Sequence, residues 1–179
     1  MPEIQIRVAI ASDLSALMAI DHSCQTDYVW QMDVQHEEGQ MGAIFREIRL
    51  PRSVTVSYPR SSNALSESWN RRSGTLVAVI GDQVAGYVRV NDALLLHTAW
   101  IMDLAVSSRF RRQGIASGLV LAAQSWGLQR KDHRVLIEMS SKNNPAIQLA
   151  QKLGYEFCGY NDQYYETRDI ALFFGLSFR

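Results

Sequence analysis

Only two of the 179 residues are cysteine, Cys24 and Cys158. A disulfide framework needs more, so a reducing compartment, the cytoplasm, is expected, with both thiols packed as small apolar side chains. No apolar run approaches the ~18 residues that span a bilayer. The opening residues, Met1 to Arg7, alternate like a strand and lack the apolar core of a secretion signal, so no membrane role is expected. Net charge is also missing: 18 basic residues balance 18 acidic ones. That balance argues against a general nucleic-acid binder. The four histidines (His22, His36, His97, His133) show no metal spacing and read as surface or capping residues, so no metal is expected. Two phosphate motifs are absent as well. There is no Gly-x-x-x-x-Gly-Lys-Ser/Thr loop, and no Gly-x-Gly-x-x-Gly opening a βαβ unit.

What remains is an ordinary globular composition, 47% apolar and 20% charged, with no internal repeat. Its length suits a single domain spanning residues 1–179. The charge is unevenly spread. Residues 1–40 hold seven acids (Glu3, Asp13, Asp21, Asp27, Asp33, Glu37, Glu38) against Arg7, whereas residues 46–72 hold six arginines against Glu47 and Glu67. The acidic part would steer a cationic ligand, or the two stretches neutralise each other by proximity.

Periodicity organises the chain as a mixture of strands and helices. Ile4 to Val8 alternates as a strand, and Ser12 or Asp13 is placed to cap a helix carrying Leu14, Leu17, Met18 and Ile20. Tyr28 to Gln35 alternates and Ile44 to Leu50 returns as a hairpin strand that Pro51 ends, with a helix over 36–49 as the alternative. Tyr58 to Gly74 reads as a surface loop. Strands follow at Thr75–Ile80, Val84–Val90 and Thr98–Val106. A long helix spans Gln113–Arg130 with Ile115, Leu119, Ala123 and Trp126 on one stripe. Val135–Met139 is a strand, and Asn144–Leu153 a helix with Asn144 as N-cap, Pro145 in the first turn and Gly154 as terminator. Two strands, near Glu156–Tyr160 and Asp169–Phe178, close the chain.

The chemistry is concentrated at Arg111-Arg112-Gln113-Gly114-Ile115-Ala116, between a buried strand and the long helix. Amides at a helix N-terminus are unpaired and sit at the positive end of its dipole, which suits a pyrophosphate. Gly114 lets the backbone approach the anion, Ala116 keeps the first turn small, and Arg109, Arg111 and Arg112 add positive charge. Two carboxylates stand out inside apolar strands, Asp103 and Glu138. Acids there are unusual unless paired, so each is either a reactive group or half of a salt bridge.

Arg-x-x-Gly-x-Ala after a strand resembles the acetyl-CoA signature of the GNAT superfamily. About thirty residues later, Asn143-Asn144-Pro145-Ala146-Ile147-Gln148-Leu149-Ala150-Gln151-Lys152-Leu153-Gly154-Tyr155 is similar to that family's second block. The resemblance covers at least residues 75–160. It implies an α/β (α+β) GNAT fold: a mixed, mostly antiparallel central sheet flanked by helices, with splayed central strands that take acetyl-CoA as co-substrate. Residue by residue, it implies that the backbone of Leu104, Ala105 and Val106 pairs with the pantetheine arm. Arg111, Arg112, Gln113, Gly114, Ile115, Ala116 and Ser117 would hold the pyrophosphate, and Asn143 would bond the pantetheine region. An amide near Ala105 would face the thioester oxygen. Glu138, five residues before Asn143, occupies a position where some family members keep a catalytic Glu, and Asp103 is the other candidate base. The family's usual acid, a Tyr, is replaced by Ala150, leaving Tyr164 or Tyr165 to supply a hydroxyl.

Asp21 to Trp30, Asp103 to Val106, Asn143 to Ile147, Phe157 to Tyr165 and Ile170 to Phe173 together resemble the streptothricin acetyltransferases. Tyr165 matches a Tyr of those sequences. This likeness implies a cationic small-molecule amine as acceptor, aminoglycoside-like or β-lysine-bearing, held between Asp21–Glu38 and Asp103 with Tyr28 or Trp30 against its apolar face. A protein amine acceptor and a non-catalytic acyl-CoA-binding module are the competing functions, and a homodimer is left open.

Overall fold

The computed structural model describes residues 3–61, 63–69 and 73–178. In chain order the elements are β1 (Ile4–Val8), α1 (Leu14–Met18), β2 (Cys24–Glu37), β3 (Gln40–Val56), α2 (Asn63–Glu67), β4 (Ser73–Ile80) and β5 (Gln83–Asn91). They continue with β6 (Thr98–Val106), α3 (Ile115–Gln129), β7 (Arg134–Ser140), α4 (Asn144–Lys152), β8 (Glu156–Asn161) and β9 (Ala171–Ser177). Seven strands form one sheet in the order β1-β4-β5-β6-β7-β9-β8, and β2 and β3 form a separate ribbon. Every neighbouring pair in the large sheet is antiparallel except β6 and β7. A parallel pair needs a crossover, and α3 supplies it.

Period-two alternation on β4 and β5 sends side chains to two cores. Leu76, Ala78, Val88 and Val90 pack with Ile115, Leu119, Val120 and Ala123 of α3. Val77 and Tyr87 point the other way, to Leu17, Ile20 and Leu65 beside α1 and α2. Leu119 is fully buried, so burial of its side chain stabilises the α3 contact by roughly 1.5–3 kcal/mol.

Several expectations are corrected. The helix near Asp13 is only five residues long, preceded by a 3-10 turn at Ala11–Asp13. Asp13 holds the N-cap position, but its side chain makes no capping bond to the helix. Its carboxylate accepts from Arg7 at 2.7 and 2.9 Å and from the Ile10 amide at 2.8 Å. Pro51 does not end β3. Register slips between Thr26–Val54 and Tyr28–Arg49, so Pro51 sits in an irregularity where no ladder N–H is required. The N-cap of α4 is Asn143, whose Oδ1 accepts from the Ala146 amide at 3.2 Å. Asn144 instead takes the Trp30 indole N–H at 3.0 Å and so joins the ribbon to α4. Gly154, at φ 83°, ends α4 as expected. Cys158 is exposed because it lies on the edge strand β8, and both thiols are free. No helix among the described residues is long and apolar enough to cross a membrane.

The expected loop from Tyr58 to Gly74 departs most. It contains α2, Ser73 and Gly74 belong to β4, and Tyr58 and Arg60 turn inward. Arg71 and Arg72 lie outside the described residues.

Candidate active site

Pairing between β6 and β7 runs from Thr98–Arg134 to Ile101–Ile137 and stops. Beyond that point β6 stays with β5 as far as Val106–Gly86, and β7 stays with β9 as far as Ser140–Ala171. Met102 is the extra residue of a β-bulge, opposite the step from Arg89 to Val90. Such bulges bend a strand and re-aim it. A wedge therefore opens between Leu104 on one side and Glu138 on the other. Leu104 and Val106 turn their backbone groups toward it, away from β5, and the Val106 carbonyl accepts from Arg111 Nε at 2.9 Å.

The loop after β6 leads to α3 through two left-handed residues, Arg112 at φ 64° and Gly114 at φ 83°. Among the described residues, the amides of Arg112 to Ser117 donate to no backbone carbonyl. Left-handed kinks that aim successive amides at one point form an anion nest, and the fifteen-residue helix behind adds its dipole. A Cβ on Gly114 would meet nothing within 4 Å, so glycine serves the positive φ here and not close packing. Ile115 is buried and anchors the first turn, while Ala116 and Ser117 are half-buried beside it. Arg112 and Gln113 are exposed. The Arg111 guanidinium is turned away from the nest. It donates to the Asp21 carbonyl at 2.7 Å as well as to Val106, tying this loop to the α1–β2 connection. Arg109 stacks on Phe110, 4.9 Å from the ring centre.

Two cavities meet at the wedge. One of about 290 Å³ is lined by Asp21, His22, Tyr58, Arg60, Tyr87 and Asp103 among others. A smaller one of about 50 Å³ is lined by Leu104, Glu138, Asn143, Ala150, Tyr165 and again Arg60. Tyr58 and Arg60 border both, so the strap Tyr58-Pro59-Arg60 is the partition between them.

Both strand carboxylates are buried at this junction and both are paired. Asp103 receives Arg89 Nη2 at 2.5 Å, the Tyr58 hydroxyl and, more distantly, Arg60 Nη1 at 3.4 Å. Glu138 receives Arg60 Nη2 and the Tyr164 hydroxyl at 3.3 Å. Burial pushes the Glu138 carboxyl above its ordinary value, against the opposing pull of Arg60. Burial, then the charge of Glu138, pushes the Tyr165 phenol up, and it stays protonated. Tyr165 lies under the Arg60 guanidinium, 5.3 Å from ring to cation. Ala150 is fully buried on the wall of the small cavity.

Sequence reading missed five contributors: His22, Tyr58, Arg60, Tyr87 and Arg89. His22 is neither a surface nor a capping residue. Its Nδ1 lies 2.6 Å from the Ile20 carbonyl, which requires an N–H there, so Nε2 accepts from the Tyr87 hydroxyl at 2.7 Å. Burial pushes its pKa down, which keeps it neutral. Of the acidic N-terminal stretch, Asp21 lines a cavity. Asp27 bonds Ser53, and Asp33 pairs with Arg46 at 3.0 Å on the exposed ribbon. Trp30 is spent on Asn144. Among the described residues no group of His, Cys, Asp or Glu could hold a metal.

A strand wedge with a buried carboxylate on its wall, followed by a run of unbonded amides at a helix start, is an arrangement that suits an acetyl-CoA-dependent N-acetyltransferase. The profile described as the acetyltransferase (GNAT) family matches residues 42–155, and the chain belongs to that family. It is 26% identical over 167 residues to streptothricin acetyltransferase of Streptomyces lavendulae, covering 90% of this chain and 86% of that protein. Its fold is similar to the crystal structure of nourseothricin acetyltransferase, with a TM-score of 0.82 at 23% identity over 97% of this chain and 98% of the other. It also resembles a Bacillus anthracis strain Ames protein described as a streptothricin acetyltransferase and solved with acetyl coenzyme A. There the TM-score is 0.80 at 19% identity over 99% of each chain.

Proposed function

We propose that the protein acetylates a primary amine of a cationic small molecule of the streptothricin type, in the cytoplasm. The observation that carries this reading is the meeting of two cavities at two buried carboxylates, Asp103 and Glu138, on the edge of the wedge. The resemblance to streptothricin acetyltransferases supports the same acceptor class.

Acetyl-CoA fits the residues present. The unbonded amides from Arg112 to Ser117 suit its pyrophosphate, and the edge of β6 around Leu104–Val106 suits its amide-bearing arm. Asn143 spends its Oδ1 on the helix cap, which leaves its Nδ2 to donate into the small cavity. The co-substrate supplies the activated thioester. The chain supplies the rest. An alkylamine has a pKa of about 10.4 and arrives protonated. Glu138, held above the ordinary carboxylate range by burial, takes that proton as the nitrogen attacks. A backbone amide on the wedge-facing edge of β6, that of Leu104 or Val106 on either side of Ala105, favours the oxygen on which charge develops. Asp21, at the outer wall of the larger cavity, holds a spare ammonium, while Asp103, neutralised by Arg89, presents a polar inner wall. Tyr165 offers its hydroxyl to the departing sulfur from a position the usual Tyr does not occupy, since that site is Ala150.

The strap and α2 border the acceptor cavity, which favours a small acceptor over a threaded peptide. The test is thiol release from acetyl-CoA in the presence of streptothricin, lysine-derived diamines and an N-terminal peptide amine. Turnover confined to the peptide would refute the reading.

A further inference from the structure

Arg60 stands where an incoming ammonium would have to stand. Its Nη2 pairs with Glu138, its Nη1 lies 3.4 Å from Asp103 and donates to the Met102 carbonyl at 2.8 Å, and its side chain is 17% exposed. The two arginines of the cluster are held very differently. Arg89 belongs to the central strand β5 and faces Asp103 in register, so that pair is fixed by the sheet. Arg60 belongs to the irregular stretch after β3, and among the described residues no backbone hydrogen bond fastens 57–60.

We propose that Arg60 is a displaceable plug, an internal copy of the substrate's cation that must leave the slot between Asp103 and Glu138 before acetyl transfer. The proposal rests on the cationic-acceptor reading above and adds a specificity device to it. Charge counting supports it. With Arg60 in place, two carboxylates face two guanidinium groups and the slot is neutral. With Arg60 withdrawn, Asp103 and Arg89 still cancel, and Glu138 is left with one uncompensated negative charge. Burying such a charge is costly, so the strap opens only as another cation enters. An incoming alkylammonium restores the balance and then passes its N–H proton to the Glu138 carboxylate, freeing the lone pair for attack.

Geometry supports it too. Tyr58 and Arg60 are shared walls of the 290 Å³ and 50 Å³ cavities, so moving the strap joins them and opens a path from the acceptor cavity to Glu138. A neutral molecule of the right shape cannot drive that exchange. The plug therefore selects for charge before shape is read.

Arg60→Gln removes the competitor. The KM for streptothricin or a lysine-derived diamine should fall at least threefold, with the Kd for acetyl-CoA moving less than twofold. An equal or higher KM at unchanged acetyl-CoA affinity would overturn the proposal, because a mere staple predicts that. Should the variant fold poorly, the parent reports instead. Hydrogen exchange of the 57–61 segment should rise when a cationic acceptor saturates the CoA complex, and unchanged or slower exchange would overturn it. Calorimetry with methylguanidinium separates this idea from the substrate reading. Binding to Arg60→Gln but not to the parent upholds the slot even if no cationic amine is acetylated, in which case the acceptor reading alone fails. No binding to either protein refutes the slot.

Discussion

Arg89 Nη2 lies 2.5 Å from Asp103 Oδ2 across the β5–β6 ladder, with both side chains buried. The bulge at Met102 begins directly beside this pair, so the ion pair marks the place where the sheet starts to splay. Removing one partner of a buried pair leaves a charge without compensation. Asp103→Ala should therefore lower stability by about 3–5 kcal/mol, read as a shift in urea midpoint. A loss well below 1 kcal/mol would show that Arg89 finds another partner.

Gly114 carries the second prediction. Its Cβ would point into open space, so Gly114→Glu should fold, with some strain from the positive φ. The added carboxylate faces the amides meant for the pyrophosphate. Calorimetry should show acetyl-CoA affinity at least tenfold weaker, about 1.4 kcal/mol, than in Gly114→Ala, which carries the same strain without the charge. Equal affinities in the two variants would remove the pyrophosphate from this loop.

Glu138 sets the pH dependence. Its folded pKa is raised above the ordinary 4.5, chiefly by burial. A base works only once its proton is gone, so kcat/KM should be low in acid and climb as pH rises through that raised value. Stability moves oppositely. A carboxyl whose pKa is raised by folding contributes fully below 4.5, and that contribution is lost as pH rises through the folded value. Glu138→Gln should lower kcat by about 10²–10⁴ and abolish this acid limb. A Gln variant that keeps both the rate and the limb would mean that another group takes the proton.

Much of the fold was legible because its strands repeat a strong local pattern. The apolar pattern of Thr98–Val106 coincides with the strand's observed bounds, and Gly81 and Asp82 mark the β4–β5 turn. The same holds for the loop before α3, where a glycine and a following amphipathic stretch announce a helix start. Asn143 and Asn144 were harder. Both can cap, and the choice falls to Trp30, which arrives from 114 residues away to claim Asn144. The strap was illegible for a related reason. Tyr58 and Arg60 sit among serines and arginines that look like solvent-facing loop, and only the sheet's two buried carboxylates draw them in. Nothing near His22 in the sequence marks it, because its partner Tyr87 lies 65 residues further on. The sequence pattern marked the wedge carboxylates as unusual without revealing which arginines pair with them.

A cationic amine as acceptor is tested most directly by acceptor selectivity. kcat/KM from acetyl-CoA thiol release should be at least a hundredfold higher for streptothricin or a lysine-derived diamine than for a neutral-chain peptide presenting one N-terminal amine, about 2.7 kcal/mol in the barrier. Mass spectrometry should find a single acetyl group on the preferred cation. Equal kcat/KM for the peptide and the cations, or acetylation of the peptide alone, would contradict a cationic acceptor.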